Sequence, residues 1–194
     1  MSTVDLRSYA DLRQPAGLRR PAAERRLGEF LGAVVEAMTS PFEPFEGEQP
    51  LALRCLGRDK PRCPGRINAQ KADEVFEWRC PACGEAGAIE HWQRSVWDFA
   101  RYKVSGLAKT ELATIRMAAP VLEATASIPA LDRAADRVLA TGRRVGPRAV
   151  ALRAPQAWLG HLAGYVANEL NHVDDDDQYL RRLEQAYEVL ERFS

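Results

Sequence analysis

Apolar residues recur at three- and four-residue intervals between residues 22 and 38, the spacing of one face of an α-helix. Pro21 directly precedes this segment, and proline suits the first position of a helix because its missing N–H would be unpaired there anyway. Residues 1–20 carry several arginines and no such pattern, so we expect an irregular arm. The sequence therefore predicts a helix over residues 22–38 with one apolar stripe: Leu27, Phe30, Leu31, Val34 and Met38.

Strand-like alternation replaces the helical spacing in the middle of the chain. Residues 65–70 and 74–79 flank Lys71-Ala72-Asp73, a sequence typical of a hairpin turn. Residues 86–92 have the pattern of a third strand. We expect residues 51–93 to form a small three-stranded module.

The patterns that follow are shorter. The run from Ser95 to Asp98 has the spacing of a capping box, which predicts a short helix with Val96 and Phe99 facing inward. Beyond it we expect a half-buried strand and then a short helix, over residues 111–117 and 120–128.

Two hairpins of different kinds are predicted near the C-terminus. Gly146-Pro147 is typical of a turn, here between strands over residues 137–141 and 148–153. Two helices with leucine stripes follow, over residues 155–171 and 175–192, and their short connection predicts an αα-hairpin.

These elements predict an α+β fold class. The three-stranded module is expected to be followed by a small sheet with a C-terminal αα-hairpin. We expect an N-terminal arm and helix, the three-stranded module and a C-terminal α+β domain, with boundaries at residues 1–50, 51–93 and 94–194.

Composition and charge exclude some classes of protein. Of the 194 residues, 46% are apolar and 28% are charged, which is ordinary for a globular protein and not for a disordered one. The formal net charge is zero, which argues against a protein coated with nucleic acid. Because no apolar run approaches the length of a membrane span and the first residues lack a secretory signal, we expect a cytoplasmic protein without a membrane partner.

Four cysteines carry the strongest chemical signal. Cys80 and Cys83 form a Cys-x₂-Cys pair followed by Gly84, and Cys55 and Cys63 supply two further thiols. Disulfides are disfavoured in a reducing cytosol. A redox Cys-x₂-Cys pair would need a helix to begin at its first cysteine, whereas Gly84 predicts a turn. Metal binding is therefore the best interpretation of these thiols.

The run Cys80-Pro81-Ala82-Cys83-Gly84 and its three-stranded setting resemble the zinc-ribbon class of small metal modules, over residues 51–93 only. Seven residues separate Cys55 from Cys63, more than in the usual first knuckle. If Cys55 is not bound, His91 is the alternative ligand. The resemblance implies zinc, and a closed site of four thiolates would be structural. The expected ligands are Cys55, Cys63, Cys80 and Cys83.

The first metal loop is basic, which raises a nucleic-acid alternative. Cations on a rigid knuckle would favour phosphate binding, and Trp78 or Trp92 would be available to stack on a base. A solvated loop that keeps the module soluble explains the same charges, and the zero net charge favours that explanation. The candidate nucleic-acid-binding residues are Arg58, Lys60, Arg62 and Arg66.

An enzyme alternative rests on the first closing helix, where His161, Tyr165, Asn168 and His172 recur on one side. A helix presents a hydrolytic or metal cluster in this way, but the polar face of an amphipathic helix has the same pattern. The leading hypothesis is a non-enzymatic zinc protein that acts as a binding or adaptor module for a protein partner. Nucleic-acid binding by the basic knuckle and an enzyme site around His161 and His172 are the alternatives.

Overall fold

The computed structural model divides into two compact units, residues 1–103 and 104–194. Within the described part of the chain, no helix combines the length and apolar character needed to cross a bilayer. The structure describes residues 2–12, 20–42, 46–57, 63–101, 111–129, 131–173 and 177–193.

The N-terminal unit contains the helix predicted from the apolar stripe. Helix α1 spans Ala22–Thr39 and follows Pro21, as expected. Its residues Leu31 and Val34 are almost completely buried, and Leu27 is half-buried. The prediction over residues 22–38 is therefore confirmed.

The described part of this unit contains a five-stranded sheet in the order β1-β5-β4-β3-β2. All neighbouring strands are antiparallel except β1 and β5, which are parallel. The three predicted strands are present as β3, β4 and β5, and they lie side by side. The bounds are β1 Ser2–Asp5, β2 Gln49–Arg54, β3 Arg66–Ala72, β4 Val75–Arg79 and β5 Ala86–Glu90.

The prediction of an irregular arm is wrong for its first residues. Strand β1 pairs in register with β5, with Ser2 opposite Gly87 and Val4 opposite Ile89. A single turn of 3₁₀ helix, Leu6–Tyr9, follows it and buries Leu6 completely. Pairing with a strand some 85 residues away, rather than local propensity, gives this segment its structure.

The capping box at Ser95 does not start a helix of the predicted kind. The Asp98 carboxylate instead accepts hydrogen bonds from the backbone N–H groups of Arg94 and Ala100, each at 2.9 Å. Val96 is 43% exposed and does not face inward, although Phe99 is fully buried. Among the described residues 95–101, the helical segment is a turn of 3₁₀ helix at Phe99–Arg101.

Aromatic contacts join α1 to the sheet. Phe30 of α1 packs edge-on against Trp78 of β4, with ring centroids 5.0 Å apart. Phe76, on the same face of β4, stacks on Trp92 at 4.3 Å. Aromatic pairs in these geometries add to the stabilisation from buried area, so this face of the sheet is the core of the unit.

The C-terminal unit contains a small antiparallel sheet in the order β7-β8-β6. The alternation predicted for residues 111–117 is confirmed, because Ile115 and Met117 of β6 are buried. The elements are β6 Leu112–Ala118, α2 Ala119–Ala126, α3 Arg133–Ala140, β7 Arg143–Arg144, β8 Ala149–Pro155, α4 Gln156–Leu170 and α5 Asp177–Leu190.

The strand predicted over residues 137–141 is wrong, because most of that segment belongs to α3. Asp132 caps the helix, and its Oδ1 accepts hydrogen bonds from the N–H groups of Ala134 and Ala135 at 3.1 and 2.9 Å. Ala135 and Val138 are fully buried, which is helical rather than strand spacing. The hairpin around residues 146–147 exists, but its first strand is only β7.

The closing helices α4 and α5 pack against each other as predicted. The hydroxyl of Tyr179, near the start of α5, donates to Glu169 near the end of α4. Leu159, Leu162, Leu183 and Leu190 of the predicted stripes are completely buried. Together with the strands of each unit, these helices confirm the α+β class.

Candidate metal centre

The four cysteines lie where four neighbouring strands end or begin, at one end of the N-terminal sheet. Cys55 follows β2, Cys63 precedes β3, Cys80 follows β4 and Cys83 precedes β5. Because β2 to β5 run antiparallel in sequence order, these four positions fall at the same end of the sheet. The N–H of Cys55 donates to the carbonyl of Gly65 at 2.9 Å, which joins the first two ends.

The thiol sulfurs are grouped closely enough to share one ion. The Cys55 and Cys83 Sγ atoms are 3.6 Å apart, those of Cys63 and Cys80 are 3.7 Å apart, and all four lie within 4.8 Å. A tetrahedron with metal–sulfur bonds of about 2.3 Å places its sulfurs about 3.8 Å apart. A disulfide would bring two sulfurs to about 2.0 Å, and all four thiols are free. The cluster could therefore hold a metal ion.

Backbone N–H groups point at three of the sulfurs. Gly57 donates to Cys55 Sγ and Gly65 donates to Cys63 Sγ, each at 3.3 Å. The N–H groups of Cys83 and Ala82 point at Cys80 Sγ. Hydrogen bonds of this kind stabilise the thiolate form of cysteine, the form that binds a metal.

Electrostatics divide the two buried thiols. Burial raises the pKa of the Cys55 thiol to about 12. Burial also opposes ionisation of Cys80, but hydrogen bonds from the N–H groups of Cys83 and Ala82 and from the neighbouring thiols of Cys83 and Cys63 together lower the pKa of that thiol to about 7. The hydrogen bonds around Cys80 thus favour its thiolate, whereas burial disfavours the thiolate of Cys55.

Two glycines are required by the geometry of the site. Gly84 has a φ of +76°, so the turn after Cys83 forms as its sequence predicted. A Cβ on Gly65 would lie 2.6 Å from Cys80 Sγ, so no larger residue fits between the two cysteine pairs. Sequence reasoning missed Gly65, although the repeated Cys-x-Gly spacing at Cys55 and Cys63 was a signal for it.

The structure describes one of the four candidate nucleic-acid-binding residues. Arg58, Lys60 and Arg62 lie outside the described residues, whereas Arg66 opens β3 and its guanidinium donates to the Ala52 carbonyl. The tryptophans expected to be available to bases are not: Trp78 is 7% exposed and Trp92 is 8% exposed. Both belong to the core, so base stacking on this module is not supported.

His91 belongs to a different group from the cysteines. Its Nδ1 lies 3.4 Å from Asp5 and 3.8 Å from Glu90, at the β1–β5 edge of the sheet. Asp5 is in turn paired with Arg7 at 2.6 Å. The four sulfurs lie together without His91.

His161 of α4 and His172, which lies just beyond the end of that helix, each have a hydrogen-bond partner. His161 Nε2 is 2.8 Å from the Asp132 carboxylate, and His172 Nδ1 is 2.6 Å from the Asn168 carbonyl. Both side chains are exposed. Among the described residues, neither histidine belongs to a cluster of three or more potential metal ligands, so the polar-face interpretation explains what is seen.

No protein-family model, curated protein sequence or solved structure matches this chain.

Proposed function

We propose that this chain is a non-enzymatic zinc protein, whose N-terminal unit is stabilised by a Cys₄ zinc site and acts as a binding or adaptor module for another protein. The observation that carries the proposal is the grouping of the Cys55, Cys63, Cys80 and Cys83 sulfurs at tetrahedral separations.

The donor set favours a structural ion. Four thiolates complete the tetrahedral coordination of zinc and leave no position for water or a substrate. Tetrahedral sulfur sites suit zinc or iron, and zinc is the ion typical of knuckles between strands. An ion here would tie together the ends of four strands, at the end of the sheet where Cys83 is exposed and Cys63 is only half-buried.

A protein partner is favoured by the surface beside the ion. Leu56 directly follows the ligand Cys55 and is 37% exposed, one of the few large apolar side chains on the surface of the described residues. The hydrogen bond from Gly57 to Cys55 Sγ fixes the backbone on its other side. Covering this side chain with a partner would remove apolar surface from water, which favours association. Nucleic-acid binding by the basic knuckle and an enzyme site around His161 and His172 stay predictions.

The purified chain is expected to contain one zinc ion per molecule, because all four ligands are already grouped. Elemental analysis by mass spectrometry measures zinc and iron together, and a thiol reagent should react with the four cysteines only after a chelator is added. Iron in place of zinc would correct the metal. Rapid reaction of all four thiols in the untreated protein would contradict the site.

Leu56→Ser is expected to remove a partner captured by the wild-type chain in cross-linking from its native cell, while zinc content is unchanged. Val145→Ser is the matched control, since Val145 is a similarly exposed apolar residue in the C-terminal unit. Identical capture by all three proteins would exclude Leu56 as the anchor, and no reproducible partner would contradict the adaptor function.

A further inference from the structure

The C-terminal sheet has two chemically different faces. Ile115 is opposite Leu152 and Met117 is opposite Val150, and these four residues are buried on the apolar face. Residues between them point to the other side of the strands. On that side Arg153 is opposite Thr114, and Ala151 lies between Arg116 and Arg143 across the three strands.

We call this second side the arginine face: Arg116, Arg143, Arg148, Arg153 and the small residues Ala118, Ala149 and Ala151. Its outer arginines, 116, 148 and 153, are exposed. Arg116 and Arg148 border an open depression of about 600 Å³, whose other lining residues are Met117, Ala118, Pro147 and Ala149. Because the alanine side chains are short, an incoming group can approach the guanidinium groups from the solvent.

The spacing of the arginines is regular because the sheet sets it. Neighbouring strands lie about 4.8 Å apart, so Arg116 and Arg143 start about 10 Å apart across Ala151. Arg116 and Arg153 are diagonal neighbours on β6 and β8, roughly 7 to 8 Å apart at their Cα atoms. Cations at such intervals can contact successive phosphates of one ligand.

The strands supply only basic charge to this face. Arg116, Arg143 and Arg153 lie on it, and β6, β7 and β8 contain no acidic residue. Arg144 is opposite Val150 and lies on the other side. Arg143 is held by the carbonyls of Ala140 and Gly142, at 3.3 and 3.2 Å. Burial lowers the pKa of Arg143 to about 10, so it stays protonated at neutral pH. The face is thus a fixed cationic surface in a chain whose net charge is zero.

We propose that the arginine face binds the phosphate backbone of a nucleic-acid duplex without reading its sequence. Guanidinium groups match phosphate oxygens in bidentate geometry. The three strands contain no aromatic residue on which single-stranded bases could stack, which favours a duplex. Val145, in the β7–β8 turn, is the one large exposed apolar side chain in the described part of this unit, too little for insertion into a membrane. This binding is separate from the proposed zinc function.

The test is binding of a fluorescent DNA duplex of about 20 base pairs to the full zinc-loaded chain, measured by anisotropy over a salt series. Arg116→Gln/Arg153→Gln should weaken binding on the order of 100-fold at about 50 mM salt and reduce the salt slope by about 1.8, for two lost phosphate contacts. Arg181→Gln/Arg192→Gln, which removes the same charge near the C-terminus, should change the slope far less. Circular dichroism and thermal unfolding check that the variants fold, and Arg116→Gln/Arg148→Gln replaces the first pair if it does not.

Other results would overturn the proposal. If the wild-type chain does not bind the duplex at low salt, the proposal is wrong. Loss of binding in Arg58→Gln/Lys60→Gln/Arg62→Gln, with the arginine-face variant unaffected, would assign the duplex to the zinc knuckle instead. Binding to phosphatidylserine vesicles but not to the duplex would assign the face to a membrane surface.

Discussion

Cys80→Ser is expected to release the zinc ion and unfold the metal end of the N-terminal unit. Cys80 is 1% exposed, so the substitution would place a buried hydroxyl where the metal ligand was. Structural zinc contributes roughly 10–16 kcal/mol of apparent binding free energy, comparable with the whole stability of a typical domain of about 5–15 kcal/mol. Elemental analysis measures the lost zinc, and near-ultraviolet circular dichroism measures the loss of fixed packing around Trp78, Trp92 and Trp97.

Ala82→Ser is the matched control, because Ala82 lies in the same turn, is exposed and is not a ligand. This variant should retain zinc and the wild-type dichroism spectrum. A Cys80→Ser protein that is folded without zinc would show that hydrophobic packing alone holds the module together. In that case the thiol cluster would not be the structural element proposed above.

The grouping of the four cysteines could be predicted in part from the sequence, because the signal around Cys80 and Cys83 is local. The run of Cys80, Cys83 and Gly84 specifies a turn, and the structure builds that turn. Cys55 was less certain, since its long spacing from Cys63 left His91 as an alternative. Only the antiparallel order of β2 to β5 brings Cys55 to the other thiols. That order depends on how the strands pair, and it cannot be inferred from the spacing of the cysteines in the sequence.

The fold was predictable to the extent that periodicity is local. Helix α1 and the closing helices repeat an apolar pattern over several turns, and buried positions alternate with less buried ones along β3 and β4. Strand β1 has no such pattern, and its exposed Ser2 and Thr3 gain structure only by pairing with β5. Residues 137–141 taken alone have a composition that suits a strand, whereas Asp132, which precedes them, caps helix α3. Short elements fixed by distant or capping contacts are those that pattern alone misassigns.

Leu183→Ala is expected to reduce the free energy of unfolding by about 2–5 kcal/mol, the usual cost of truncating a fully buried leucine. Leu183 is completely buried on α5, which packs against both α2 and α4. The truncation leaves a cavity among three helices that are also held by their neighbours, so the site can relax only in part. Urea denaturation followed by far-ultraviolet circular dichroism measures the change.

His172→Ala is the comparison that separates structure from site in the same hairpin. His172 is exposed and its ring contacts only the carbonyl of Asn168 among the hydrogen bonds described, so its removal should cost less than about 0.5 kcal/mol. Leu180→Ala should fall between the two variants, because Leu180 is half-buried. A large loss of stability at His172 with a small one at Leu183 would reverse the assignment. The polar side of α4 would then be held by something other than solvent, and the enzyme alternative would gain over the binding module.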